Sequence, residues 1–144
     1  MWQEYGKADA RWLGADLCVV CLELLTVLIG GPLAVYICYL LTMSSSTSAT
    51  SASKAKYSSC LWFSSIILAV GELYGGFMTF GPEWFSGSVG LETSDPVYLW
   101  LYLVFFNVLW VIVPLWVISV AWGEIKVAFA TAAVANKQTA KKLN

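Results

Sequence analysis

The chain is 144 residues long, with 59% hydrophobic residues, 12% charged residues and a formal net charge of −1. A soluble domain carries about 25% charged residues, so this composition excludes an ordinary water-facing globule and points to a membrane protein. Without a clustered basic surface a nucleic-acid partner is excluded as well.

The first sixteen residues, MWQEYGKADARWLGAD, hold Glu4, Lys7, Asp9, Arg11 and Asp16. They lack the apolar run of a signal peptide and are expected to form a mixed-charge loop. Residues 17–43 follow with Glu23 as their one formal charge. A bilayer core about 30 Å thick needs about 20 apolar residues at 1.5 Å rise, and backbone in lipid must bond to itself, so this stretch is read as a membrane helix. A charge at that depth costs about 2.5–3.5 kcal/mol, so Glu23 calls for a cavity, a partner or a ligand. Thr26 and Gly30 share its helical face. Gly30-Gly31-Pro32 then predicts a kink, because Pro32 lacks a backbone donor. Cys18, Cys21 and Cys38 are read as small apolar residues. With no histidine in the chain, Cys18-x-x-Cys21 is not read as a metal site.

Residues 44–57, SSSTSATSASKAKY, are expected to be a flexible linker with Lys54 and Lys56. Residues 58–80 form the second span, where Glu72 is the only charge and lies among Gly71, Gly75 and Gly76. Ser65, Gly75 and Thr79 fall near its face, and glycines let helices approach closely. Residues 81–96 hold Glu83, Glu92 and Asp95 but neither lysine nor arginine. Residues 97–122 carry no charge and form the third span. At α-helical spacing Trp100, Asn107 and Trp110 share one face. A tail with Lys126, Lys137, Lys141 and Lys142 closes the chain.

Lysines near span ends favour the cytoplasm. That places the first linker and the tail in the cytoplasm and the second linker and the N-terminus in the lumen. Trp12, Trp84, Trp100 and Trp122 fall near span ends, where indoles favour the headgroup level, whereas Trp62, Trp110 and Trp116 lie deeper. The fold class is therefore an all-α, polytopic transmembrane bundle, with a membrane domain over residues 1–125 and a lysine-bearing tail over 126–144. Glu23, Glu72, Asn107 and the deep tryptophans suggest an intramembrane pocket for an apolar ligand that is, or becomes, cationic. The same residues would equally serve to tie helices together.

Five blocks carry a resemblance. They are Trp2-Gln-Glu-Tyr-Gly-Lys-Ala-Asp-Ala-Arg11-Trp, Cys21-Leu-Glu23-Leu-Leu-Thr26, Gly31-Pro32-Leu33, Gly71-Glu-Leu-Tyr74-Gly75, and Tyr98 through Asn107 and Trp110 to Pro114. In order and spacing they resemble the emopamil-binding protein family from about residue 2 to about residue 125. That family consists of five-helix sterol Δ8-to-Δ7 isomerases of the endoplasmic reticulum. The resemblance implies an isomerase that adds a proton at one end of a sterol double bond and removes one from a neighbouring carbon, without a cofactor. It implies Glu23 as the catalytic carboxyl, with Thr26, Asn107 and Trp110 as substrate-binding residues; Tyr74 of the matching fourth block is placed with them, and Glu72 and Trp100 stay pocket candidates on their position in the spans alone. Sterol substrates, cationic amphiphiles and membrane lipid are the implied partners, and a homodimer is one assembly it admits. Lys141-Lys142-Leu143-Asn144 resembles a dilysine retrieval signal, in keeping with a multi-pass reticulum protein and a cytoplasmic C-terminus. The family begins with two further helices that supply a catalytic histidine and glutamate, so the chain is expected to be an N-terminally truncated portion covering the last three. The rival reading is a non-catalytic sterol or cationic-amphiphile binder like the sigma-2 receptor relatives of the wider family.

Overall fold

The structure, a computed structural model, describes residues 2–143, with side chains from Gln3 to Ala140. The dilysine side chains and Asn144 therefore lie outside the described residues. Among the described residues there are five α-helices: α1 (Trp2–Ala8), α2 (Leu17–Leu25), α3 (Gly31–Ser45), α4 (Ser51–Ser86) and α5 (Phe106–Leu143). A 3₁₀ turn at Ala10–Trp12 and π-helical segments at Thr26–Gly30 and Tyr98–Phe105 complete the order. Three rods are long and apolar enough to cross a membrane: Leu17–Ser45, Ser51–Ser86 and Tyr98–Ala140. Each falls where the hydropathy placed a span.

Local chemistry sets the ends. The Asp16 carboxylate accepts from the backbone N–H groups of Cys18 at 2.9 Å and Val19 at 3.2 Å, satisfying donors that a helix start leaves free. The Thr50 hydroxyl accepts from Ser53 N at 3.2 Å and starts α4. Gly87, at φ 90°, ends it in the left-handed region that glycine adopts at low cost. Asp95 accepts from Val97 N at 2.7 Å and opens the third rod.

Several expectations give way here. The linker expected over residues 44–57 is mostly helix. Only residues 46–50 connect α3 to α4, because Ala52, Lys54, Ala55 and Lys56 are good helix formers and the Thr50 cap starts α4 before them. At its other end α4 runs to Ser86, past Pro82. That proline leaves the Met78 carbonyl without its i+4 donor, and the Cys18 thiol donates to this oxygen at 3.7 Å. The Ala- and Lys-rich tail likewise continues α5 as helix to Leu143. At Gly30-Gly31-Pro32, where a kink is expected, the helix carries a π-helical turn over Thr26–Gly30 in which Gly31 N donates to Thr26 O, a feature at which helices commonly bend. Cys21 and Cys38 face outward rather than into the protein.

The packing order is simple. α4 lies between α3 and α5, whereas α2 meets α4 more lightly. At one end of the bundle Ala8, Phe80 and Leu103 form a buried cluster, flanked by Leu91, Tyr98 and Tyr102.

The expected N-terminal loop is instead folded and tied down. Ala10 N donates to Gly90 O at 2.9 Å and Glu92 N donates to Ala8 O at 2.8 Å, joining α1 to the loop after α4. Asp9 is fully buried. Arg11 donates to its two oxygens from Nε at 2.9 Å and Nη2 at 2.6 Å, and from Nη1 to Thr79 O at 2.5 Å. Glu83 stands 3.6 Å from Arg11 Nε and accepts from Gly90 N at 3.0 Å. Burial works against the Arg11 cation, but the hydrogen bonds and charge of Asp9, then Glu83 and Asp16, outweigh it and raise its pKa. Lys7 pairs with Glu4 at 2.7 Å. The two basic residues of the N-terminal segment are thus each paired with nearby acids.

Candidate functional site

The direction of α1 determines what the site contains. Its C-terminal end is fixed at the loop by Ala8, while Tyr5 meets the third rod. Asn107 Nδ2 donates to Tyr5 Oη at 3.1 Å, and the Tyr5 ring lies 6.4 Å from that of Tyr102. Asn107 is nine residues beyond Tyr98, about 13 Å along a helix axis. α1 therefore descends beside the third rod with its N-terminal turn pointing away from the loop. Gly6 makes the return of the chain possible: a Cβ there would stand 2.6 Å from the Leu13 side chain.

Between this folded-back segment and α2 lies an open groove of about 580 Å³. Its walls are apolar, with Trp12 and Leu13 on one side and Val19, Val20, Leu24 and Val27 on the other. Gln3 and Glu23 are its two hydrogen-bonding side chains besides the indole of Trp12. Glu23 is half-buried and, among the described residues, has neither an ion-pair nor a hydrogen-bond partner.

The other sequence candidates are placed differently. Thr26 begins the π-helical turn beside Glu23 and lies near Gly30, itself close to Leu68 of α4, rather than lining the groove. Asn107 does not face the groove, but it is linked to it. Tyr5, which accepts its amide hydrogen, packs edge-on against Trp12 with ring centres 5.5 Å apart. Asn107 Nδ2 also donates to Leu103 O at 2.8 Å and Tyr102 O at 3.1 Å, where π spacing returns to α. Its amide nitrogen is fully engaged, while its Oδ1 takes no part in these bonds. Trp100 and Trp110 are largely exposed, at 65% and 57%. The single face expected for Trp100, Asn107 and Trp110 presumed uniform α-helix, and the π-helical segment Tyr98–Phe105 breaks that register. Tyr74 is exposed on α4, and Glu72 is half-buried there. Neither lines the groove.

The structure thus brings Gln3, Tyr5 and Trp12 to Glu23 and Asn107. Spacing could not reveal this, because the partners are far apart in sequence. The only available signal was the density of polar and aromatic residues in the segment WQEYGKADARW. Burial raises the Tyr5 pKa, the Asn107 hydrogen bond lowers it, the Asp9 charge raises it and Arg11 lowers it, with a net rise above 10.0. Tyr5 is accordingly a neutral phenol at physiological pH, accepting from Asn107 with its own O–H free to donate.

Comparison with known proteins adds the following. The family EBP: EXPERA (expanded EBP superfamily) matches residues 1–121. A 3-beta-hydroxysteroid-Delta(8),Delta(7)-isomerase of Cavia porcellus is 30% identical over 114 residues, covering 79% of this chain and 44% of that protein. A probable isomerase of the same name from Oryza sativa subsp. japonica is 30% identical over 129 residues, covering 90% of this chain and 52% of that protein. An isomeliandiol synthase of Melia azedarach is 27% identical over 125 residues, 87% of this chain and 52% of that protein. The chain spans about half the length of the curated relatives it matches.

Proposed function

Since the chain belongs to the EXPERA, or expanded EBP, superfamily, we propose that it acts on a sterol within a membrane, moving a ring double bond from the Δ8 to the Δ7 position. The observation that carries this reading is Glu23, a carboxyl without a protein partner among the described residues in a groove otherwise walled by apolar side chains. A hydrocarbon ring system fits such walls, and pockets for compact ligands are typically about 300–1,000 Å³. In the reaction a proton adds to one carbon of the double bond and leaves a cation on its neighbour. A second proton then departs from the carbon beyond, so the bond migrates and the atoms of the sterol are conserved. Glu23 delivers or accepts a proton, or stabilises the cation. Trp12 offers a π-face beside it. Asn107 acts at one remove, holding Tyr5 against Trp12, and Thr26, Tyr74 and Trp110 contact substrate outside the groove wall. The protein resides in the endoplasmic reticulum membrane with its C-terminus in the cytoplasm.

The test is complementation of a strain lacking sterol Δ8–Δ7 isomerase, using this chain and its Glu23→Gln form. Rescue by the chain and not by Glu23→Gln is expected. Equal rescue by both removes Glu23 from the chemistry.

A second reading is favoured by one observation: among the described residues no second carboxyl lines the groove opposite Glu23. A single acid suits holding a sterol or a cationic amphiphile better than moving two protons. Saturable sterol binding with the double bond unmoved, together with failure of rescue, would select it.

A further inference from the structure

We propose that Gln3 is the orienting residue of the groove, receiving the hydroxyl group of a ring substrate by hydrogen bonds from and to its carboxamide. The proposal rests on the sterol reading above and adds to it which end of the substrate is recognised, and by what.

The argument starts from the placement of Gln3. It lies in the first turn of α1, beyond Tyr5 on the side away from the loop. The Tyr5 hydroxyl reaches Asn107 of the third rod, and Gln3, two residues before it, lines the groove with an exposed side chain. Among the described residues its carboxamide has no hydrogen-bond partner. An apolar ligand seated in the groove would take this amide out of water, and leaving it there without a hydrogen-bond partner would be unfavourable. The groove it lines holds a second unpartnered polar group, Glu23, across apolar walls that include Trp12 and Leu13.

Two polar groups set in one apolar trough define a ligand that is mostly hydrocarbon with one hydroxyl. Glu23, on α2, is needed where charge develops. Gln3, a neutral group that both donates and accepts, matches an alcohol and does not attract a cation. Its site discriminates by leaving a polar group unpaired when a substrate lacks the hydroxyl, a mechanism more selective than apolar fit.

The test measures binding of a Δ8-sterol bearing a 3β-hydroxyl and of its 3-deoxy counterpart to the full chain in lipid nanodiscs. The wild-type chain should prefer the hydroxysterol by about tenfold or more, the worth of one buried hydrogen bond. Gln3→Met, similar in shape and apolar, should lose most of that preference while binding the deoxysterol as before, which also shows that it folds. Gln3→Glu, which still accepts a hydrogen bond, should keep the preference. Equal wild-type binding of both sterols overturns the role of Gln3 but leaves the sterol reading standing. A preference unchanged in Gln3→Met, or parallel loss of both ligands, also overturns it. Binding of neither sterol by the wild type overturns the sterol reading itself.

Discussion

Asp9 and Arg11 show how a charged pair is kept inside a mostly apolar protein. The carboxylate has no exposed surface, and Arg11 supplies it with two side-chain hydrogen bonds and a backbone one. Such a pair adds little over well-packed apolar residues, but removing one partner leaves an uncompensated charge and costs about 3–5 kcal/mol. Arg11→Met should therefore lower the midpoint of thermal unfolding in detergent steeply, and adding Asp9→Leu should recover much of the loss. A double variant no better than the single one would contradict this account. Tyr5 supplies a pH dependence. Its folded pKa lies above its unfolded value of 10.0, so its contribution to stability is full below 10.0 and is lost as pH rises through the folded value. Relative to Tyr5→Phe, the wild-type chain should lose stability faster with pH above that point. Parallel curves would mean that Tyr5 is not held as described. None of these partners was legible in sequence, since Arg11 reaches Thr79 and Tyr5 reaches Asn107 across 68 and 102 residues. Glu23 was legible because a lone charge in an apolar run stands out whatever its neighbours.

The helices themselves were largely legible. Three long apolar runs have one backbone solution in lipid, and the three rods follow it. Their internal departures from α geometry were not. A π-helical turn depends on a shift of hydrogen bonds by one residue, and the residues of Tyr98–Phe105 would serve an α-helix as well. Pro32 gave a partial signal: it placed a disturbance near residue 30, where the π-helical turn lies. Helix ends were obscured for another reason: α4 extends into a Ser-rich stretch whose composition reads as a linker. Gly71 within α4 and Gly87 at its cap differ in kind. Gly87 ends the helix at φ 90°, whereas a Cβ on Gly71 would meet nothing within 4 Å. Gly87→Ala should thus cost about 1 kcal/mol, and Gly71→Ala should stabilise by up to about 1 kcal/mol. The thermal midpoints of the two variants should move in opposite directions. A shared direction would contradict the assignment.

For the molecule as a whole, charge separates by side. Lys54, Lys56, Lys126 and Lys137 lie at the end of the bundle where α4 begins and α5 emerges, and among the described residues none forms an ion pair. The lysine and arginine at the opposite end are bound to acids. The unpaired charges thus agree with the proposed cytoplasmic end. A glycosylation acceptor introduced between residues 87 and 96 should be modified on insertion into microsomes, and one between 46 and 50 should not. The reverse pattern would invert the orientation.

The knot of contacts around Arg11 and Tyr5 also orders events during synthesis. The segment that carries these two residues is synthesised before its partners at Thr79, Glu83, Gly90 and Asn107, which come later in the chain. Asp9 and Arg11 can pair early, but the segment has nowhere to dock until the third rod has entered the membrane. The groove beside Glu23, whose far wall this segment provides, therefore forms only after the third rod is in place. A ligand already present in the bilayer could be enclosed as the wall closes over it.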